Sequence, residues 1–139
     1  SDVCSSDLYG TAIVGDMIST ISTIIVDPPE GHLGTYLRSL ELLANSPMST
    51  LYPAHGPAMR DGRKLVKQYL RHRGQREAGL LDALAKGGGT LAELLPMVYW
   101  DAKPELHRFA ARSLLAGLQK LQEEGRVTQQ GDRWLAVRA

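Results

Sequence analysis

Apolar and polar positions along the first third of the chain fall into two short runs of strand character. Residues 9–15 (YGTAIVG) form one. The β-branched run 22–26 (STIIV) forms the other, stopped by Asp27, Pro28 and Pro29, which cannot continue a hydrogen-bonded ladder. The period then changes: Leu33, Tyr36, Leu37, Leu40, Leu43 and Ala44 recur at helical spacing and predict an amphipathic helix over 33–44. Residues 50–52 make a further brief strand, which runs into the loop Pro53-Ala54-His55-Gly56-Pro57. Strand, strand, helix, strand is the order of a layered α/β arrangement.

The second half is helical. Asp61 is placed to cap a long helix over about 62–86, with Leu65, Val66, Tyr69 and Leu70 at one end and Leu80, Leu81 and Leu84 at the other. The polar stretch His72-Arg73-Gly74-Gln75-Arg76-Glu77 lies between, as suits a connector joining two small cores. Gly74 and Gly79 each cost about 1 kcal/mol relative to alanine and mark a plausible bend. Gly87-Gly88-Gly89 ends that helix, and Thr90 with Glu93 forms a capping box for the next, whose inward positions are Leu91, Leu94, Leu95 and Val98. A third helix over 105–124 carries the stripe Leu106, Phe109, Ala110, Ser113, Leu114, Leu118 and Leu121 and ends at Gly125. Residues 126–129 and 133–137 are strands about the turn Gln130-Gly131-Asp132. Three helices and a hairpin outline a winged helix-turn-helix.

Composition narrows the class. The chain has 139 residues, 43% hydrophobic and 22% charged, as in soluble globular proteins. No apolar run approaches the roughly 20 residues needed to span a bilayer, and no basic stretch precedes an apolar core at the N-terminus. Residues 1–8 (SDVCSSDL) are polar, aperiodic and similar to the translation of a common sequencing adapter. They are set aside from the fold, with native sequence expected from Tyr9. Cys4, the only cysteine, lies among them, so disulfides are excluded, in keeping with a cytoplasmic protein. The expected organisation is therefore 1–8 extraneous, 9–60 an α/β part, 61–86 a connector helix and 87–139 the remainder of a winged-helix domain. Charge is uneven: residues 1–60 carry two basic against six acidic side chains, and 61–139 fourteen against nine. That excess would suit a phosphate-rich partner near the C-terminal part, although most charge runs are solvated faces.

Two residues stand out for chemistry. Asp16 closes the strand AIVGD, so its carboxylate emerges at a sheet edge where α/β folds place ligands. His55 sits between Pro53 and Pro57, which fix its loop after another strand. Spacing alone leaves both open to plainer readings, as a turn cap and an exposed bystander. Zinc takes three or four protein ligands, and two are visible.

The segments AIVGDM (12–17), DPPEG (27–31) and LYPAHGP (51–57) resemble the later metal-binding motifs of the metallo-β-lactamase fold. Further along, YLRHRGQRE (69–77) and residues 106–127 are similar to the winged-helix tail of the branch containing β-lactamase-like protein 2. The resemblance covers residues 9–127. It implies the C-terminal half of an αββα sandwich, α/β or α+β in class, followed by a winged helix-turn-helix. By motif match it gives Asp16 the role of bridging two zinc ions and His55 that of completing the second ion's shell. A pair of metals about 3.5–4 Å apart can hold a hydroxide and stabilise the charge that develops in hydrolysis. The family's His-x-His-x-Asp-His loop and a further histidine would precede Asp16, where this chain has only residues 1–8. The expected function is thus a zinc-dependent hydrolase of an ester, thioester, amide or phosphodiester, with a small-molecule or RNA substrate, inactive as these 139 residues.

The other polar positions have plainer readings. His32 reads as a surface residue and His107 as a capping or surface residue. His72 with Arg76, and Arg73 with Glu77, are i,i+4 pairs expected to serve polar packing or, as the alternative, phosphate contact. Arg108, Arg112, Lys120, Arg126 and Arg133 could line the winged helix's exposed face and meet phosphates. A winged-helix nucleic-acid-binding module is accordingly the rival function, and a dimerisation tail the third; heparin and single-stranded RNA retention separates those two.

Overall fold

The computed structural model describes residues 5–6, 11–15, 17, 26, 28, 31–47 and 49–138. The chain divides into two compact units, one of residues 1–24 and 34–72, the other of residues 25–33 and 73–139. No helix among the described residues is long and apolar enough to cross a membrane.

The first unit is built on strands β1 (Ser5–Ser6), β2 (Thr11–Gly15) and β3 (Thr50–Pro53), in sheet order β1-β2-β3. β1 pairs antiparallel with β2, and β2 runs parallel to β3. Ser5 and Ser6 of β1 belong to residues 1–8, which the sequence reading set aside. A segment with no strand signal of its own is recruited because β2 offers unpaired backbone groups at its edge. Helix α1 (Leu33–Ala44) and the first turns of α2 (Gly62–Ala85) supply the apolar cover. Ala12, Val14, Leu40, Leu43, Leu51 and Val66 form the core, with Tyr36, Leu65, Tyr69 and Leu70 packed against it. The Tyr36 hydroxyl donates to the Met17 carbonyl at 2.9 Å, so this partly buried ring has a partner for its polar end. Strand alternation is strict. Ala12, Val14 and Leu51 point into the core, while Ile13 and Tyr52, directly paired across the strands, are 59% and 48% exposed. Among the described residues, Ile13 and Tyr52 thus mark an exposed side of the sheet. The second predicted strand, 22–26, lies outside the described residues except for Val26, which is buried.

α2 is an unbroken α-helix of 24 residues through Gly74 and Gly79, where a bend was plausible. Its last turns open the second unit. Leu80, Ala83 and Leu84 pack with Leu94 and Val98 of α3 (Leu91–Val98) and with Leu114, Leu118 and Leu121 of α4 (His107–Glu123). Val127 of β4 (Val127–Gln130) and Trp134 of β5 (Arg133–Ala136), the two strands of an antiparallel hairpin, close this core. At about 1.5–3 kcal/mol for each fully buried large side chain, this apolar set is the main support of a unit too small to have stability to spare.

The α4 stripe is narrower than its sequence suggests. Residues 104–106 form a 3₁₀ turn, and the α-helix begins at His107. The buried positions start at Ala110, so Leu106 and Phe109 stay 47% and 40% exposed. The tighter turn rotates Leu106 off the helix's inward face, and the Arg108 guanidinium lies 5.0 Å from the Phe109 ring centroid.

Candidate metal centre

Strand polarity sets the geometry of this site. Because β2 and β3 are parallel, and Gly15 pairs with Pro53, their carboxyl ends share one edge of the sheet. The pairing shifts register between Ile13 and Gly15, an irregularity of the kind that re-aims a strand end. His55 lies exposed two residues beyond Pro53. Its loop is closed at the base by reciprocal hydrogen bonds: Leu51 N–H to the Met59 carbonyl (2.8 Å) and Met59 N–H to the Leu51 carbonyl (2.9 Å). The Gly62 N–H donates to the Ser49 carbonyl at 2.9 Å just outside that closure. Gly56 turns the chain at φ 98°, a backbone setting that suits glycine. Two prolines and a two-bond closure hold the histidine loop; the prolines are legible in the sequence and the closure is not.

Asp16, expected to share the site, lies outside the described residues, as does Cys4. Among the described residues, no group of three or more His, Cys, Asp or Glu side chains is placed to hold a metal.

Of the remaining candidates, those in the second unit make contacts within it. His32 Nε2 is 2.7 Å from Glu123 Oε2, both side chains about half exposed. His107 is exposed, with Nε2 3.1 Å from the Ala102 carbonyl. Arg76 lies over the Tyr99 ring, 4.6 Å from its centroid, and donates to the Val98 carbonyl at 2.8 Å. A second contact of 2.9 Å joins it to Asp101. Val98 is the last residue of α3, so Arg76 satisfies a carbonyl that the helix leaves open. Burial pushes the Tyr99 hydroxyl's pKa up despite the nearby Arg73 and Arg76.

Of the five cations expected on an exposed nucleic-acid face, all but Arg108 contact carboxylates or a carbonyl of the same unit. Lys120, partly buried, contacts Glu77 (2.6 Å) and Glu124 (2.8 Å). Burial alone would lower the pKa of Lys120, but its hydrogen bonds to Glu124 and Glu77 outweigh that and raise it. The same bond from Lys120 holds the Glu124 carboxyl low. Arg126 lies near Glu77 and Glu124, Arg133 donates to Glu93 at 3.0 Å, and Arg112 donates to the Pro28 carbonyl. The Thr90–Glu93 capping box is present in both halves. Arg133 joins it from a strand forty residues away, a partner that no local pattern signals.

A parallel strand pair with a fixed histidine loop, followed in sequence by a winged helix, fits the later part of the metallo-β-lactamase sandwich that the sequence motifs resemble. Residues 90–134 match the family described as beta-lactamase associated winged helix domain. The lactamase-like protein nscB of Aspergillus fumigatus is 32% identical over 127 residues, covering 76% of this chain and 38% of that protein. The beta-lactamase-like protein 2 homolog of Drosophila melanogaster is 27% identical over 121 residues, covering 85% and 40%. Among solved structures, a metallo-beta-lactamase family protein of Thermus thermophilus superposes with a TM-score of 0.74 at 28% identity, covering 92% of this chain and 42% of that one. A beta-lactamase domain protein of Burkholderia ambifaria gives 0.79 at 26%, covering 95% and 42%. The chain belongs to the metallo-β-lactamase fold family and carries its associated winged helix. It spans about two fifths of the length of these relatives.

Proposed function

We propose that these residues belong to a cytoplasmic, zinc-dependent hydrolase acting on an ester, thioester, amide or phosphodiester bond in a small-molecule or RNA substrate. The observation that supports this most is the parallel register of β2 and β3, which puts the two strands' carboxyl ends at one edge with the closed His55 loop. Asp16 follows Gly15 directly in sequence, and with His55 it is assigned to the metal centre. Carboxylate oxygen and imidazole nitrogen are ordinary zinc donors, so the set fits in kind. Two side chains fall short of the usual four-coordinate shell, so the 139 residues alone are expected to bind zinc weakly and to lack turnover. Zinc, when held by a complete set, supplies a Lewis acid and a water of lowered pKa.

The test compares this chain with the protein extended upstream through the missing ligand motif. Zinc titration by calorimetry is run beside nitrocefin, thioester and RNA cleavage assays. Extension should bring tight zinc binding and turnover, and Asp16→Ala or His55→Ala should abolish both. Turnover by the 139 residues alone would refute the divided site. An extended protein that takes up no metal would refute the zinc reading altogether.

A further inference from the structure

The amino-terminal half of α2 concentrates charge. Arg60, Arg63, Lys64, Lys67 and Arg71 occur within twelve residues, with Asp61 the sole carboxylate among them, and all are exposed. Arg63, Lys64, Lys67, Gln68, Arg71 and Asp61 line a groove of about 340 Å³. Spacings of three, four and seven residues put Lys64, Lys67 and Arg71 on one helix face. Arg63 is steadied beside them by a 2.7 Å hydrogen bond to the Ser46 carbonyl. The apolar residues of the same turns, Leu65, Val66, Tyr69 and Leu70, face the core instead. All six residues that line the groove are therefore charged or polar, their aliphatic stems supplying its apolar surface, unlike the mostly apolar residues that line small-molecule pockets.

We propose that this groove binds the phosphodiester backbone of a nucleic-acid strand without reading its bases. Lys64 to Arg71 spans about 10 Å along the helix, so the cations lie close enough together to meet neighbouring phosphates of one strand. Charge complementarity carries the assignment. The groove is concave and lacks the apolar or aromatic side chains that a membrane-surface helix would insert, which favours a strand over a lipid surface. It offers no ring for base stacking either, so binding should be indifferent to sequence. Such binding is independent of the hydrolase reading, and its test removes metal.

Fluorescence anisotropy of labelled 12-mer oligouridylate and oligoadenylate is measured with the 139-residue chain in EDTA. Four engaged cations predict a salt slope near −2.8, or about a 50-fold loss of affinity between 50 and 200 mM KCl. Lys64→Glu with Lys67→Glu leaves two cations and should reduce that to about 7-fold, with at least a 10-fold loss of affinity at low salt. Lys103→Glu with Arg138→Glu, an equal charge change in the other unit, should alter affinity by no more than about 2-fold if the site is local. Circular dichroism confirms that both variants are folded. Equal losses in the two variants would overturn the proposal, as would no oligonucleotide binding by the parent chain. Retention on phosphatidylserine vesicles without oligonucleotide binding would also overturn it.

Discussion

Replacing Gly88 with alanine probes how the hairpin is fastened to the helices of the second unit. Gly88 has φ +68°, and a Cβ built there would lie 2.0 Å from the Trp134 carbonyl oxygen, a backbone atom that cannot swing aside. That carbonyl accepts from the Gly89 N–H at 3.0 Å, and the Trp134 N–H donates back to the Gly89 carbonyl at 2.8 Å. Relieving the clash means breaking this pair of bonds, each worth about 0.5–1.5 kcal/mol net. Left-handed backbone adds about 1–2 kcal/mol for any L side chain. The total is about 2–5 kcal/mol, a large share of what a unit this small can hold. Gly125 is the matched control: φ is +73°, and no atom lies within 4 Å of its built Cβ, so Gly125→Ala should cost only the backbone part, about 1–2 kcal/mol. Urea unfolding, followed by Trp134 fluorescence in a Trp100→Phe background, compares the two; Trp134 is buried and Trp100 is 79% exposed. With a slope of about 1 kcal/mol per molar, Gly88→Ala should have its midpoint at least about 1 M below Gly125→Ala, or no cooperative transition at all. Equal midpoints would refute the reasoning, because the close approach to Trp134 would then contribute nothing.

Two further outcomes concern the second unit. Arg76→Met keeps the aliphatic stem but removes the bond to the Val98 carbonyl and the stacking charge over Tyr99, for a loss of about 2–3 kcal/mol. Arg76→Lys should recover little, since a point charge cannot fork to a carbonyl and a carboxylate while stacking; urea midpoints equal to the parent's would refute the clamp. In acid, the Thr90 N–H, aided by Arg133, holds the Glu93 carboxyl low, and Lys120 holds that of Glu124 low. A depressed folded pKa gives stability that is full above the unfolded carboxylate value and fades as pH falls through the folded one. Lys120 is raised, so its contribution is full below the ordinary lysine value and fades as pH rises through the folded one. Thermal midpoints should decline at both extremes, and Glu93→Gln should flatten the acid limb; an unchanged acid slope would remove Glu93 from the account.

Sequence by itself determined whatever depends on residues near one another along the chain. Helical spacing in Leu33–Ala44, the two apolar ends of α2 and the Thr90–Glu93 box all register within a few turns, and the helices form where those signals lie. The prolines around His55 likewise announced a fixed loop, and the short motifs around Asp16 and His55 carried the family resemblance. Tertiary structure decided the matters that need a distant partner. The parallel pairing that puts the ends of β2 and β3 at one edge depends on the route of the chain, which periodicity does not encode. β1 has no strand pattern and exists because β2 had an edge to fill. Lys120 looked like part of an outward basic face, yet Glu77, over forty residues earlier, engages it as a partly buried ion pair. No local pattern singles out Lys64, Lys67 and Arg71; packing of the opposite helix face into the core leaves them lining a groove. A local pattern fixes which face of an element is apolar, but the fate of each charge depends on what the fold brings against it.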